Sequence, residues 1–300
     1  MTDSPLRVAT RRSKLALAQA RAYVHTLTAQ HPTLVVEELH IVTSGDKIQD
    51  RSLQEIGGKG LFIKEVEEAL LSRQATFAVH SIKDVPAELA PSLCIAAIPK
   101  REDPRDVLVS RTGAPLAELP AGATVGTSSL RRQTLLRKAR PDLAFRPLRG
   151  NVDTRLRKLA EGQVDAIVLA AAGLRRLGLL DRATEILDPA TSLPAVGQGA
   201  LGIECRQDDE PVRALLAGTD DEPTRICVVA ERAFMAAVGG SCQLPVAAYG
   251  RRDGTDLWLR GMLADGDGSN ARFGERRTTW STDKTAAEAL GRELGIALLG

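Results

Sequence analysis

The chain has 300 residues, which at about 150 residues per domain predicts two domains and allows three. Apolar residues make up 43% and charged residues 26%, as in ordinary globular proteins. The formal net charge is only +2, and the aromatic side chains are 5 Phe, 2 Trp and 2 Tyr. These values disfavour a general attraction to nucleic acid or membranes, and they leave few rings for stacking on single strands.

Short apolar runs alternate with segments of helical period through the first two thirds of the chain, which predicts doubly wound α/β layers with mostly parallel sheets. The order changes beyond residue 222, where three strand-like runs between two helical segments predict a small α+β domain. The predicted strands span 6–9, 34–42, 77–80, 106–110, 124–126, 143–147, 166–171, 246–249, 257–263 and 272–280, and the helices span 15–27, 62–71, 130–139, 154–160, 225–238 and a final stretch from 284.

Two segments between these blocks are rich in residues that break regular structure. Residues 101–105 are charged and contain a proline, which indicates a hinge, and residues 193–200 form a linker or a binding loop. The chain also shows no secretory signal and no run of 18 apolar residues. We therefore expect a soluble, cytoplasmic protein that does not associate with membranes.

Three junctions between a strand and a helix carry arginines beside hydroxyl or amide N-caps, in segments 9–14, 126–132 and 148–155. Cations are normally disfavoured at the positive end of a helix, so these junctions need a counter-charge. Between residues 127 and 158, ten Arg and Lys residues face only Asp142 and Asp153. This pattern favours binding of a polyanion over local neutralisation or arginines that extend into water. Since no P-loop motif is present, carboxylates fit as well as phosphate.

Cys242 differs from the other three cysteines because it lies in a Gly-rich turn that ends at a proline. An exposed thiol in such a turn is either a nucleophile or an attachment point, or else an unremarkable loop residue. Cys94, Cys205 and Cys227 lie in apolar runs and are interpreted as small buried hydrophobes. The spacing of the four cysteines predicts neither a zinc site nor a disulfide framework.

Asp84 follows the predicted strand 77–80 and stands beside Lys83. It is either one half of a surface ion pair or, in a cleft lined by guanidinium groups, an acid/base that stabilises a developing cation. His80 is interpreted as a structural histidine. The glycine-rich segment 57–62 is either a phosphate loop or a mobile lid before a helix.

Taken together, these segments resemble the porphobilinogen deaminase family. The match runs in order through about residues 8 to 250, and Ser241 stands where many members carry glycine. The matching segments are 9–11 with Ser13, 15–17, 57–62, 79–86, 101–106, 126–132, 148–151, 193–199 and the turn at Cys242.

The resemblance implies two doubly wound α/β domains similar to periplasmic binding proteins, and a small α+β C-terminal domain with a three-stranded antiparallel sheet. The expected boundaries are 1–99 with 200–217, 105–193, and 222–300. It also implies a transferase that joins four porphobilinogen molecules head to tail into hydroxymethylbilane and releases ammonia. A dipyrromethane cofactor, bound to Cys242 by a thioether, would prime this synthesis, and the enzyme would act as a monomer.

The same resemblance assigns roles to individual side chains. Asp84 is the expected catalytic residue, which assists departure of the amine, stabilises the resulting azafulvenium cation and accepts a proton after coupling. Residues expected at the cofactor are Cys242, Ser81, Lys83, Asp84, Thr127, Ser129, Arg131, Arg132 and Arg155. Residues expected at the substrate are Arg11, Ser13, Lys59, Phe62, Arg149, Arg155, Arg176 and Gln198.

Two other functions remain as alternatives. A non-catalytic anion-binding module fits two α/β lobes joined by a hinge, although its extracytoplasmic form would carry a secretory signal. A nucleic-acid binder would use the basic run 131–158 and would show steep salt dependence. The near-neutral net charge and the few aromatic residues disfavour the second alternative.

Overall fold

The computed structural model describes residues 5–47, 63–239 and 244–300. The predictions for Lys59, Phe62 and Cys242 therefore fall outside the described residues. Within them, the chain forms two five-stranded sheets and one three-stranded sheet. The fold class predicted from the sequence, two α/β units and a small α+β unit at the C-terminal end, is confirmed.

The first sheet has the strand order β2-β1-β3-β10-β4. Its helices bury apolar faces against it, with Tyr23 and Leu27 packed near Phe77 in one of its two cores. The elements are β1 (Leu6–Arg11), α1 (Lys14–Gln30), β2 (Val36–Ile41), α2 (Ser44–Lys47), α3 (Lys64–Leu71), β3 (Phe77–Ser81), β4 (Leu93–Ala97), β10 (Leu201–Arg206) and α7 (Glu210–Ala217).

The second sheet has the order β7-β6-β8-β5-β9 and a core on each face. Its central strands are continuous apolar runs because both faces are covered. The elements are β5 (Asp106–Ser110), β6 (Thr124–Gly126), α4 (Leu130–Ala139), β7 (Ala144–Arg146), α5 (Val152–Ala160), β8 (Ala166–Ala170), α6 (Ala171–Arg176) and β9 (Glu185–Ile186).

The third sheet is antiparallel, in the order β11-β12-β13, and two long helices pack on one face. Glycines allow the close approach of these helices: a Cβ on Gly291 would lie 2.1 Å from the carbonyl oxygen of Ala230. The elements are α8 (Glu222–Ala237), β11 (Val246–Asp253), β12 (Asp256–Leu263), β13 (Arg272–Thr279) and α9 (Lys284–Leu299).

The expectation of mostly parallel sheets was wrong. Each large sheet has two parallel and two antiparallel pairings, because β10 runs against both β3 and β4, and β5 runs against both β8 and β9. The chain crosses between these sheets before β5 and again before β10. A strand that enters from another sheet has no crossover helix within its new sheet to make it parallel to its neighbours.

The crossing segments meet at a buried carboxylate of the third unit. Glu231, on α8, accepts hydrogen bonds from both terminal nitrogens of Arg101 at 2.6 and 3.2 Å. Its oxygens also accept from the backbone N–H of Gly197 at 2.6 Å and of Gly250 at 2.8 Å. One side chain therefore joins both crossing segments to the third sheet.

In the described part of the chain, no helix is long and apolar enough to cross a membrane.

Candidate active site

Asp84 lies where the first sheet ends, in a 3₁₀ turn over Ile82–Asp84 that directly follows β3. The residue is exposed, and it lines a small pocket of about 30 Å³ together with Arg11 and Ser81. The Ser81 hydroxyl accepts a hydrogen bond of 2.8 Å from the Gln19 amide on α1. The parallel strands β1 and β3 thus bring the predicted residues Arg11, Ser81 and Asp84 to one pocket.

Lys83 connects this pocket with the second sheet. Its side chain interacts electrostatically with Asp84 and also with Arg132, Asp106 and Arg131. Burial lowers the pKa of Lys83 to about 8, and the two arginine charges lower it further while the carboxylates oppose the shift. The ammonium group of Lys83 therefore lies near other cations, and its surroundings disfavour the charged form.

Arg131 and Arg132 begin α4 and are both buried against Asp106. Arg131 lies 2.9 Å from one oxygen of Asp106, and Arg132 lies 2.7 Å from the other. Burial opposes ionisation of Asp106, but the two guanidinium charges outweigh it and hold the pKa of this carboxyl well below its usual range. Ser192 and Gln198 also donate hydrogen bonds to Asp106, at 2.8 and 3.0 Å.

The sequence predicted that the start of α4 lacks a local counter-charge. This prediction was wrong, because Asp106 supplies one. The charge count over residues 127–158 missed it because Asp106 precedes that window in sequence and reaches the site through sheet pairing. Its strand β5 pairs with β8, and Asp106 stands opposite Ala170 at the end of β8. Two cations against one carboxylate still leave an excess of positive charge at this position.

Arg149 and Arg155 form no ion pair with a carboxylate of the residues that the structure describes. The Nη1 atom of Arg149 is buried, and among the described residues it has no hydrogen-bond partner. Arg155 donates from Nε to the carbonyl oxygen of Gly150 at 2.8 Å. Burial lowers the pKa of Arg155 to about 10, and the charges of Arg132 and Arg149 add to the shift. Arg155 therefore lies near both Arg132 and Arg149, and we call these three residues, together with Lys83 and Arg131, the cationic cluster.

The predicted hydroxyl residues lie at helix starts. Ser13 caps α1 by accepting from the N–H of Ala16 at 3.2 Å, and Ser129 caps α4 by accepting from the N–H of Arg132 at 3.4 Å. Thr127 is fully buried, and its hydroxyl oxygen accepts from the N–H of Ser129 at 3.2 Å. These capping interactions fix the loops that precede the helices, and they leave the Ser13 and Ser129 hydroxyl protons available as donors.

The start of α1, in the first unit, lies close to the start of α5, in the second unit. Lys14 and Asp153, in the first turns of these helices, form an exposed ion pair with a 3.2 Å separation. The predicted N-cap Asn151 makes no side-chain capping bond to α5. An exposed pair of this kind contributes little to stability, but it shows how close the two helix starts lie.

Arg176 and Gln198 bind the crossing segments. Arg176 donates to the carbonyl oxygen of Gly199 at 2.8 Å, and burial lowers its pKa while Glu102 opposes the shift. Gln198 is buried, and its amide donates to the carbonyl oxygen of Pro104 at 2.6 Å in addition to Asp106. Its amide nitrogen therefore binds protein groups, and the substrate contact expected from the sequence stays a prediction.

Arg232 is a residue of this region that the sequence analysis missed. From α8 it donates to the three consecutive carbonyl oxygens of Val85, Pro86 and Ala87, at distances of 3.2, 2.8 and 3.1 Å. These residues directly follow Asp84, so a helix of the third unit holds the segment that carries this carboxylate. Motif reading could not find Arg232 because its partners are backbone atoms about 145 positions away in sequence.

His80 is buried, and its Nε2 atom lies 2.9 Å from Oε2 of Glu204. His80 also lines the pocket of Asp84, so its interpretation as a structural histidine stays a prediction. Cys205 and Cys227 are buried, as predicted for small hydrophobes, whereas Cys94 is only partly buried. No group of three or more His, Cys, Asp or Glu residues able to hold a metal is found within the ranges that the structure describes.

The donor set fits an anion with several carboxylate groups. Cationic side chains of both large sheets lie close together next to Asp84 and Asp106, and Nη1 of Arg149 is buried without an acceptor in the part of the chain that the structure describes. Guanidinium groups bind carboxylates through paired hydrogen bonds, and burial strengthens such interactions. The site can therefore bind a polycarboxylate and expose it to one carboxyl group, that of Asp84.

Two protein-family models match the chain. The model described as porphobilinogen deaminase, dipyromethane cofactor binding domain, matches residues 6–214. The model described as porphobilinogen deaminase, C-terminal domain, matches residues 225–300. The two matches together cover nearly the whole chain.

Curated relatives match over similar lengths. The porphobilinogen deaminase of Sorangium cellulosum is 66% identical over 293 residues, which cover 98% of each chain. That of Roseiflexus sp. is 53% identical over 97% of each chain. Among solved structures, the methionine-binding protein MetQ aligns with 71% of this chain and 89% of its own, at 13% identity and a TM-score of 0.46.

Proposed function

Because the chain belongs to the porphobilinogen deaminase family, we propose that its cationic cluster binds the carboxylates of a pyrrole chain tethered at Cys242. The activity is that of an ammonia-releasing transferase, which joins four porphobilinogen molecules into hydroxymethylbilane in tetrapyrrole biosynthesis. Its cofactor is dipyrromethane, which, when bound, supplies the primer to which the first substrate is joined.

The cations whose charge the surrounding protein compensates only in part carry this proposal. Lys83 and Arg155 have lowered pKa values, and Nη1 of Arg149 lacks a partner among the described residues. Each of these positions costs free energy in the protein alone, and each would be relieved by an anion. Acetate and propionate groups on every pyrrole supply such anions, whereas a single small ion would pair with only one or two of the cations.

Donors from both large sheets would hold the end of the pyrrole chain that is tethered to the protein. A second group of donors would hold the incoming substrate. The first group comprises Ser81, Lys83, Thr127, Ser129, Arg131, Arg132 and Arg155, of which Thr127 acts by holding its loop. The second comprises Arg11, Ser13, Arg149 and Arg176, with Lys59 and Phe62 kept as predictions. We assign Gln198 to positioning, because it anchors Asp106 and the crossing segment.

Asp84 is suited to manage the positive charge that develops when ammonia leaves porphobilinogen. The surrounding arginines would raise the energy of such a cation, and an exposed carboxylate beside them lowers it. Asp106 cannot take this role because it is buried and bound to Arg131 and Arg132. After coupling, the Asp84 carboxylate is the group that accepts the proton lost from the pyrrole carbon.

The three sheets suggest three domains, for which we propose the boundaries 1–99 with 200–217, 105–193, and 222–300. The boundaries follow the two crossing segments and the start of α8. Movement of the lobes about 101–105 and 194–199 stays a prediction, as do a cytoplasmic location, a monomeric state and the absence of nucleic-acid and membrane partners.

Steady-state assays of the purified chain with porphobilinogen test this proposal. One ammonia should be released for each porphobilinogen consumed, and four for each tetrapyrrole. Arg149→Leu and Arg155→Leu should each raise KM about tenfold or more, because each removes a charged hydrogen-bond donor to carboxylate. Arg157→Leu is the matched control, since Arg157 lies on the same helix as Arg155 but is exposed and paired with Glu161.

The control should change KM less than about twofold. Equal effects of all three substitutions would contradict the proposed carboxylate site. Binding of porphobilinogen without release of ammonia would instead support the alternative of a non-catalytic anion-binding module.

A further inference from the structure

Two cysteines of the first sheet stand directly opposite each other on neighbouring strands. Cys94 lies on β4 and Cys205 on β10, and the antiparallel register pairs these two residues. Side chains of directly opposed residues project from the same face of a sheet. Cys205 belongs to the apolar core on that face, and Cys94 packs against the same core from its edge.

This arrangement meets the Cα-distance requirement of a disulfide. Opposed residues in antiparallel strands have Cα atoms about 4.5 to 5.5 Å apart. Disulfides form at Cα separations of about 4.4 to 6.8 Å. Both residues are free thiols in the structure.

The two thiols differ in accessibility. Cys205 is fully buried, whereas Cys94 is partly exposed. Burial raises the pKa of Cys205 to about 12, and the neighbouring Cys94 side chain raises it further. Cys94 is therefore the thiol that a dissolved oxidant reaches first, and Cys205 is held beside it as the second thiol.

We propose that Cys94 and Cys205 form a redox-active cross-strand pair that a hydroperoxide converts into an internal disulfide. The Cys94 thiolate attacks one peroxide oxygen, which gives a sulfenic acid and releases hydroxide. The Cys205 sulfur then attacks the Cys94 sulfur, loses its proton and displaces hydroxide, so that water leaves. The two thiols lose two electrons in total, and hydrogen peroxide is reduced to two molecules of water.

The disulfide would close a loop that contains the entire second sheet, since β5 to β9 lie between Cys94 and Cys205. Such a long loop restricts the unfolded chain strongly, while β4 and β10 are already neighbours in the folded state. Oxidation should therefore raise Tm by several degrees and change turnover less than about twofold. The pair does not contact the cationic cluster, so the inference is independent of the proposed function.

Treatment of the purified holoenzyme with hydrogen peroxide, followed by intact mass and non-reducing peptide mapping, tests the pair. We expect a loss of about 2 Da and one cross-linked peptide pair that contains Cys94 and Cys205, both reversed by a thiol reductant. Cys94→Ser should abolish the cross-link and the rise in Tm. Cys227 is the matched control: it is also buried, and burial also raises its pKa to about 12.

Cys227 lies on α8, and no cysteine of the described residues stands opposite it, so it should remain a free thiol. Oxidation of Cys94 to a sulfinic acid without a cross-link would overturn the inference. A cross-link that joins Cys94 to any other cysteine, or an equal reaction of Cys227, would overturn it as well.

Discussion

Asp84 and Asp106 are two carboxylates near the same arginines, yet their surroundings give them different chemistry. Asp106 is buried, and its charge is fixed by Arg131 and Arg132. Asp84 is exposed at the pocket that Arg11 also lines. A carboxylate fully engaged by protein groups stabilises the fold, whereas an accessible one can exchange protons with a substrate.

The first prediction concerns the charge of Asp84. Asp84→Asn should keep the fold, because the residue is exposed, and should lower kcat about 100-fold or more through loss of charge stabilisation and proton transfer. Glu88→Gln is the matched control, since Glu88 is an exposed carboxylate on the following segment. Activity of Asp84→Asn close to that of the control would remove Asp84 from the mechanism.

The second prediction concerns Lys83, whose pKa in the folded protein is lowered to about 8 from 10.5. The folded state binds this proton less tightly than the unfolded state, so a charged Lys83 destabilises the protein below pH 8. The penalty disappears as the pH rises from 8 to 10.5. In the Cys242→Ser background, which should lack the tethered group, Lys83→Met should therefore raise Tm by a few degrees at pH 7.

Thermal scans of both proteins from pH 7 to 10.5 check this sign, and the gain in Tm should shrink along the series. A lower Tm for the Lys83→Met protein at pH 7 would mean that the ion pair with Asp84 dominates over burial. The same substitution in the wild-type background should weaken carboxylate binding and raise KM.

Contacts between residues that are close in the sequence could be predicted from it, whereas contacts between residues that are distant in the sequence could not. Ser13 and Ser129 were predicted as N-caps, and each bonds a backbone N–H three residues away. Asp106 escaped the charge count because its strand neighbours, not its sequence neighbours, bring it to Arg131 and Arg132. Local motifs therefore predict single residues, whereas the balance of charge depends on sheet topology.

At the scale of elements, helix α8 connects the segment that follows Asp84 with the crossing segments. Glu231 holds Arg101 and Gly197, and the adjacent Arg232 holds the carbonyl oxygens after Asp84. The same helix ends at Ala237, shortly before the turn predicted to carry Cys242. Residues of this one helix therefore contact both crossing segments and the segment that follows Asp84.

The third prediction tests this role of α8 as a positioning element. Arg232→Met should lower kcat about tenfold, because the Asp84 segment loses its three carbonyl contacts, while KM and the bound cofactor change little. Arg232→Lys should restore part of the activity. Arg225→Met is the matched control, since Arg225 lies on the same helix but binds Asp220 and the carbonyl oxygen of Ala96.

Kinetics combined with thermal scans separate positioning from stability. If Arg232→Met and Arg225→Met lowered Tm and kcat to the same extent, Arg232 would be a structural residue only. Apolar periodicity predicted most of the elements in the correct order, but it missed the strands β4, β9 and β10 and the helices α2, α6 and α7. It also gave no strand direction. Periodicity carries no signal for the antiparallel entry of β5 and β10, which results from crossing between sheets.

At the scale of the whole molecule, the chain crosses twice between the large sheets, and cations from both sheets lie close together. Lys83 comes from the first sheet, and Arg132 and Arg155 come from the second. The breaker-rich segments identified the crossings, and the resemblance to a family supplied the number of domains. The hydrogen bonds that Glu231 accepts from Arg101 and Gly197 could not be predicted, because they depend on how the third unit packs against both crossing segments.

Intact mass spectrometry of the purified wild-type chain and of its Cys242→Ser variant tests the central claim most directly. The claim is that a dipyrromethane, tethered at Cys242, occupies the cationic cleft. The wild-type mass should exceed the mass of its sequence by two pyrrole units, and the variant should show the mass of its bare sequence. A wild-type chain at bare sequence mass, or a variant that still carries the added mass, would contradict the account.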